Sequence, residues 1–181
     1  MASILSVEQL QGLSAGSTPN TITVPAGQKI IGTDASSIVA PGHVVQMVDA
    51  TGATQTSVTA NNTWVATNAS VSITPKFSNS KIYLSHTGGG LTFAGTGDRG
   101  LRIKRAISGG ATSVIYQSTR YGYVSTTDWV PMNWGVVDVD AGYNTTSQLT
   151  YTIEILKGGT GGEARHCDTA TWTFVATEIA Q

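Results

Sequence analysis

Charged residues are scarce in this sequence. Asp, Glu, Lys and Arg make up 12% of the 181 residues, compared with about 25% in an average soluble domain. The net charge is −1, whereas a nucleic-acid-binding protein needs a basic face or a high pI, so we expect no nucleic-acid partner. Few Lys and Glu side chains would lose water on assembly, which favours burial against identical copies. A Thr-rich β domain without such contacts is the alternative.

Cysteine and long apolar runs are also scarce. Cys167 is the one cysteine, so no disulfide can form within the chain. No segment approaches the roughly 20 apolar residues of a transmembrane helix, and the N-terminus lacks the basic flank and apolar run of a signal peptide. We expect synthesis in a cytoplasm, no membrane insertion, and a durability that comes from packing and association.

Long helical periodicity is missing too, and apolar residues instead recur at every second position. Within His43–Ser85, Val71 and Ile73 show this alternation, which is typical of strands packed on one side. Polar clusters such as Asp49–Gly52 and Pro75–Ser80 favour turns between the runs. The stretch predicts a series of antiparallel strands.

The alternation continues to the C-terminus. In Leu149–Leu156 it is clearest, and it directs Leu149, Tyr151, Ile153 and Ile155 inward. Ser108–Ala111 has the composition of a hairpin turn. The whole chain predicts about eight to ten strands and an all-β fold. The other strands predicted in this half are Leu101–Ile107, Thr112–Ser118, Gly135–Asp140 and Thr171–Ile179.

The first residues have a different pattern. Ser6 and Gln9 fit a capping box, which predicts a short helix from about Val7 to Gln11. A helix of this length does not persist alone in water, so we expect it to dock on another protein; a frayed terminus is the alternative. The candidate anchoring residues are Ile4, Leu5, Leu10 and Leu13.

Residues 14–42 are rich in Ser, Thr, Pro and Gly. Residues 22–27 and 38–42 look like two imperfect copies of an extended unit closed by a Pro/Gly turn. Fibre shafts are built by three chains that bury the aliphatics of such units against one another, although repeat architectures usually have three or more copies. A flexible linker is the alternative, but it has little reason to carry aliphatic residues. The candidate shaft residues are Ile22, Val24, Ile30, Ile31 and Ile38.

One glycine-rich segment matches a nucleotide-binding pattern. Gly95–Gly100 reads G-x-G-x-x-G, but the following Leu101–Ile107 alternates as a strand. A dinucleotide site needs a helix N-terminus there. We therefore expect a long loop at one end of a sheet.

Candidate catalytic groups are few. His166 and Cys167 are adjacent, but a zinc site needs paired ligands and a thiol nucleophile needs a base, and the other two histidines are distant in sequence. A loop at a subunit contact is favoured. Asp138 and Asp140 share one strand face, whereas glycosidases need opposed carboxylates, so we expect them to face solvent. The sequence predicts no enzyme, no metal and no cofactor.

Aromatic residues are dense between residues 116 and 134. They can form a receptor-binding patch, since Tyr and Trp supply rigid contact area, but core or subunit interface is the favoured interpretation. The candidate recognition residues are Tyr121, Tyr123, Trp129 and Trp134.

Several segments resemble a domain of tailed-bacteriophage structural proteins, notably those of marine hosts. The strand opening Gly-His-Val-Val-Gln at Gly42, the run Val71–Leu84 and the closing Thr171–Ala180 look like that domain, and Ala2–Leu10 looks like the start of its fibre-type members. The resemblance implies a jelly-roll-like sandwich over residues 43–181, preceded by an anchoring arm over residues 1–42. It also implies a homotrimer on the outside of a virion, bound to the major capsid protein or another virion protein.

Several functions are compatible with this resemblance. A head decoration (cement) protein and a head fibre are favoured over a tail fibre or receptor-binding tip, because the chain is short for a complete tail fibre. Outside that class, a carbohydrate-binding sandwich would use the aromatic residues as a stacking platform for a host-surface glycan.

Overall fold

The fold is all β. A computed structural model describes residues 26–27, 39–124, 128–130, 132–138, 144–159, 162–167 and 170–181. Within these residues the chain forms twelve strands and no helix, and hence no helix that could span a membrane. The strands are β1 (Val44–Gly52), β2 (Thr56–Val58), β3 (Trp64–Ile73), β4 (Lys81–Gly88), β5 (Leu91–Ala94), β6 (Gly97–Ile107), β7 (Thr112–Val124), β8 (Asp128–Val130), β9 (Trp134–Asp138), β10 (Leu149–Lys157), β11 (Glu163–His166) and β12 (Trp172–Ile179).

The eight longer strands form two antiparallel sheets. The first sheet has the order β1-β12-β4-β9 and the second sheet has the order β3-β10-β6-β7. Along the chain these strands alternate between the two sheets, except that the hairpin β6–β7 stays within the second. This connectivity is that of a jelly roll, so the predicted all-β, jelly-roll-like sandwich is confirmed.

Strict alternation of side chains builds the core between the sheets. Leu149, Tyr151, Ile153 and Ile155 of β10 are all fully buried, as predicted. In β12, buried side chains alternate with half-buried ones along the whole strand. Because side chains of a strand point alternately to its two faces, each sheet has one inward face and one outer face.

The four short strands form a third sheet, which we call the cap sheet. Its order is β2-β11-β5-β8. Each of these strands lies within one of the four connections that cross between the two larger sheets. In the same order, these connections are β1 to β3, β10 to β12, β4 to β6 and β7 to β9. Since consecutive strands are antiparallel, these four connections all lie at one end of the sandwich. We call that end the cap pole, and the opposite end, where β1 begins and β12 ends, the arm pole.

Three features differ from the sequence-based expectations. The glycines from Gly97 to Gly100 begin β6 rather than forming a loop, because Gly97 (φ 146°) closely approaches Gly158: a Cβ there would lie 2.3 Å from the Gly158 carbonyl oxygen. Glu163–His166 is a strand of the cap sheet, not a loop. β7 continues to Val124, beyond the expected end at Ser118, because it pairs with β6 as far as Gly97.

Candidate functional site

Gly42 and His43 lead into β1 at the arm pole. Gly42 N donates to Ala180 O at 2.8 Å, and Ala180 N donates to His43 O at 2.9 Å. These two bonds attach the start of β1 to the residue that follows β12. The segment that precedes the sandwich therefore leaves from a defined point beside the C-terminus.

A buried carboxylate, Glu178, holds the arm pole together. It is fully buried at the end of β12 and accepts hydrogen bonds from the backbone N–H groups of Lys76 and Phe77 at 2.9–3.1 Å and from Ser80 Oγ at 2.7 Å. Gln46 Nε2 of β1 donates to it at 2.6 Å. Charge-assisted bonds of this kind are stronger than neutral ones. One side chain thus joins β1, β12 and the β3–β4 connection.

A buried guanidinium has the corresponding role at the cap pole. Arg99 of β6 is fully buried and donates to Gly158 O at 2.8 Å and to Asp98 O at 2.9 Å. Burial lowers the pKa of Arg99. Because the cation is engaged by backbone carbonyls, the glycine-rich connections around Gly97 and Gly158 are joined to each other. They do not form a phosphate-binding loop.

The outer face of the second sheet carries charges that pair within the chain. Glu154 of β10 accepts from Arg102 at 2.5 Å and lies 3.3 Å from Lys104 Nζ, and the Arg102 guanidinium stacks 4.7 Å from the centre of the Trp64 ring. These groups satisfy one another on one face. The face therefore offers few free charges to a partner.

The outer face of the first sheet carries few charges and combines Thr and Ser with exposed apolar side chains. Strand register places Met47, Thr177, Tyr83 and Val137 in one row across all four strands. Met47, Tyr83 and Val137 are 67%, 39% and 43% exposed. We call these four residues the apolar row. Exposed apolar residues arranged contiguously on one face are typical of an interaction surface.

A buried ion pair crosses the sandwich core. Arg105 of β6 donates to both carboxylate oxygens of Asp138 on β9 at 2.8 and 3.0 Å, and Tyr151 Oη of β10 donates to the same carboxylate at 2.8 Å. All three side chains are buried. The expectation that Asp138 faces solvent is wrong, because Asp138 shares the inward face of β9 with Val136; Asp140 lies outside the described residues.

Two histidines that are 80 positions apart lie together near the cap pole. The ring centres of His86 and His166 are 5.7 Å apart, and the rings of Trp134, Trp172 and Phe174 surround His86. Both histidines are fully buried. His86 Nδ1 lies 2.7 Å from Met132 O, so it donates to that carbonyl, while His86 Nε2 and both nitrogens of His166 have no partner within the described residues.

The electrostatics of this pair favour the neutral imidazoles. Burial lowers the pKa of His86, and burial together with the neighbouring His86 lowers the pKa of His166 to about 4. Burial also raises the pKa of the Cys167 thiol, which donates to Ala170 O. The described residues contain no group of three or more potential ligands placed to hold a metal ion. The arrangement therefore offers neither a thiolate nor a metal-binding cluster among those residues.

The described side chains of the aromatic candidates face in different directions. Tyr121 is half-buried against the core, whereas Tyr123, two residues later on β7, is 55% exposed with the Arg120 guanidinium 5.3 Å from its ring centre. Trp134 packs inward on β9 beside Phe174. Trp129 is placed by its backbone in β8. Only Tyr123 of these residues is described with a largely exposed ring.

The remaining candidates fall outside the described residues, and nothing in the structure tests them. They are the anchoring residues Ile4, Leu5, Leu10 and Leu13, and the shaft residues Ile22, Val24, Ile30, Ile31 and Ile38.

Two of these buried polar side chains, Glu178 and His86, have a signal in the sequence. Glu178 follows Trp172, Phe174 and Ala176 at steps of two, and His86 follows Ile82 and Leu84 in the same way. Strand alternation therefore places both side chains inward. No spacing in the sequence indicates that His86 meets His166.

Comparisons with known proteins add a distant structural likeness. No family model and no curated protein matches the chain. Among solved structures, the chain is similar to that of the infectious bursal disease virus Gx strain (15% identity, TM-score 0.43, covering 82% of this chain and 37% of that one). It is also similar to the infectious bursal disease virus VP2 subviral particle (16%, 0.38, 82% and 36%) and to the T13 particle of that virus (14%, 0.41, 84% and 40%). The chain thus spans about two-fifths of the length of these structures or less.

Proposed function

We propose that this protein is a non-enzymatic structural component of a phage virion, a homotrimeric head decoration (cement) protein or head fibre on the outer surface of the particle. Residues 1–42 attach it to the major capsid protein or another virion protein, and the sandwich projects outward. The proposal rests on the sequence resemblance, and one structural observation supports it: Gly42 and His43, which lead into β1, and the cap sheet lie at opposite poles of a sandwich with its own buried core.

The arrangement with two poles supports separate roles, in which the arm attaches the protein and the sandwich projects from the particle. The sandwich has its own buried core, so we expect it to fold without the partner. Ordering an extended arm costs about 1 to 2 kcal/mol per residue of backbone entropy, and contacts with a partner surface would offset that cost. We therefore assign attachment to the arm.

Rebinding to particles tests this assignment. A chain that lacks Met1–Gly16 should remain a folded oligomer but should no longer bind virions stripped of the native protein, whereas the full-length chain rebinds. The loss should be severe, because three arms on one trimer raise the apparent affinity through effective concentration. Decoration by the truncated chain at full-length affinity would place attachment on the sandwich.

A matched pair of variants sharpens the test. Leu5→Asp with Leu10→Asp places two charges at the predicted apolar positions, while Gln9→Asp with Gln11→Asp places the same two charges at polar positions of the same segment. We expect only the first pair to abolish rebinding. Equal loss in both pairs would mean that the added charge, not the apolar side, is responsible.

One observation favours a second function, a receptor-binding tip or glycan-binding sandwich. Tyr123 exposes its ring near the cap pole, because β7 ends beside Gly97, and Arg120 and Asp98 form an ion pair close by. Exposed aromatics stack on sugar rings and contribute rigid contact area. A glycan array with the isolated protein and with Tyr123→Ala as control tests this function directly.

A further inference from the structure

The histidine pair joins the cap sheet to the first sheet. His86 lies on the inward face of β4 in the first sheet, and His166 lies on the inward face of β11 in the cap sheet, with 5.7 Å between their ring centres. Both side chains are fully buried. The contact between these two sheets therefore passes through two groups that can each take up a proton.

The surroundings of the pair suit only the neutral imidazoles. The rings of Trp134, Trp172 and Phe174 enclose His86, with ring centres between 5.5 and 6.4 Å away. An imidazolium donates from both ring nitrogens, whereas His86 Nε2 and both nitrogens of His166 have no partner within the described residues. A proton on either ring is therefore accommodated only when the pair separates and reaches water.

No charged group in the described part of the chain faces the pair to offset a proton. Glu163 and Arg165 alternate with His166 along β11 and pair with each other on the outer face, and β2 and β5 contain no charged residue. The Cys167 thiol stays neutral, because burial raises its pKa. The charged side chains of the other surrounding strands are engaged elsewhere: Asp138 with Arg105, Glu178 with Ser80, Arg99 with Gly158 O, Lys157 with Thr59 O, and Glu154 with Arg102.

Few backbone bonds hold the cap sheet to the large sheets. Its strands have three or four residues and pair only with one another, whereas β10 forms long ladders with both of its neighbours in the second sheet. Beside the pair, Cys167 N donates to Gly89 O and Gly90 O at 3.3 and 3.2 Å. Segments with few buried contacts open at a lower free energy than the core does. Repulsion at this contact therefore acts on the cap sheet first.

We propose that His86 and His166 form an acid-sensitive latch, whose protonation releases the cap sheet from the sandwich while the two large sheets stay folded. In the closed form the two rings exclude protons. In the open form each ring meets water and titrates as an ordinary histidine does, so mild acid favours the open form. This device depends neither on the proposed virion role nor on the arm.

Cys167 is a natural reporter of the latch, because it follows His166 and its thiol is buried. A dipyridyl disulfide labels thiols at neutral and at acid pH, and the labelling rate of the native full-length protein is divided by that of the urea-unfolded chain at the same pH. The pKa of His166 is about 4 in the closed form. With an ordinary pKa of about 6.5 in the open form, this group alone should raise the corrected rate about 30-fold between pH 7.5 and pH 5. A corrected rate that stays constant overturns the latch.

Hydrogen exchange of the wild type separates opening of the cap sheet from unfolding. After correction for the intrinsic exchange rate, the amides of β2, β5 and β11 should lose protection at pH 5, whereas those of β10 should keep it. Labelling of Cys167 at pH 5 should also depend only weakly on urea, since a small opening exposes little surface. An equal loss of protection in β10 would show global unfolding, and the latch would be wrong.

Substitutions identify the group that responds to acid. His166→Gln should remove most of the acceleration, and combining it with His86→Gln should remove the rest; the rates are compared across pH within each variant, because either change can also loosen the cap sheet. His43→Gln, exposed at the arm pole, should keep the acceleration. So should Asp128→Asn and Asp168→Asn, which remove carboxylates whose side chains lie outside the described part of the structure. Acceleration that survives in the double histidine variant, or that disappears with either Asn substitution, would overturn the assignment. If the histidine variants do not fold, the exchange pattern of the wild type still decides.

Discussion

At the scale of single residues, buried polar groups tie the elements of this sandwich together. The Asp138 carboxylate receives two bonds from Arg105 and one from Tyr151, and the three residues come from β9, β6 and β10. Breaking a buried ion pair by removing one partner typically costs about 3–5 kcal/mol, because the remaining charge is left uncompensated. The pair therefore fixes how β9 of the first sheet lies over the second sheet.

The buried histidine pair predicts acid sensitivity. The pKa of His166 in the folded protein is about 4, below the value of about 6.5 for an unperturbed histidine. As the pH falls below 6.5, the unfolded chain binds a proton that the folded chain excludes. His166 therefore does not lower the free energy of unfolding above about pH 6.5. Between pH 6.5 and pH 4 this one group lowers it progressively, by up to about 3 kcal/mol.

Melting temperatures measured between pH 7.5 and pH 4 check this effect. His166→Gln removes the titrating group, and its melting temperature should fall less steeply over that range than that of the wild type. His43, which is exposed at the arm pole, provides the control: His43→Gln should keep the wild-type slope. A slope unchanged by His166→Gln would mean that other groups govern the acid response.

At the scale of the strand, the period-two pattern predicted which side chains of a strand are buried. The pairing of strands that are distant in sequence determined features that this pattern does not show. The inward residues of β10 were predicted correctly because one face of that strand packs on the core. Alternation also places Arg105 inward, because it follows Leu101 and Ile103 at steps of two, but no local pattern indicates that Asp138 and Tyr151 of other strands bond to it there. The cap sheet had no local signal, since its three- and four-residue strands are stabilised by partners distant in sequence.

Adjacent substitutions on β10 test the register of this strand. Ile153→Asp should prevent folding or assembly, because the carboxylate would be buried without a partner. Thr152→Asp should be tolerated, since Thr152 lies on the outer face opposite Lys104, which would receive the new charge. Soluble yield and thermal melting compare the two variants. Similar behaviour in both would contradict the assigned inward face.

At the scale of the whole molecule, the order of the strands gives the sandwich a polarity. The first sheet begins at the arm pole with Val44 and reaches the cap pole at Gly52, and β12 returns from Trp172 to Ile179. The residue before β1 and the residue after β12 are therefore neighbours. The proposed arm would therefore meet the sandwich at the arm pole. The four connections that contain the cap sheet lie at the opposite end.

This polarity predicts opposite effects for additions at the two poles. A bulky domain fused after Gln181 lies beside the arm junction, because Ala180 bonds to Gly42 and His43, and it should block binding to stripped particles by steric exclusion. A short epitope inserted between Ala53 and Thr54, both exposed in the connection that leads to the cap sheet, should leave binding intact. An antibody should then label that epitope on decorated particles. Light scattering of each isolated variant confirms that oligomers still form, which separates attachment from assembly. If the insertion abolished decoration while the C-terminal fusion did not, the cap pole would face the particle and the proposed orientation would be reversed.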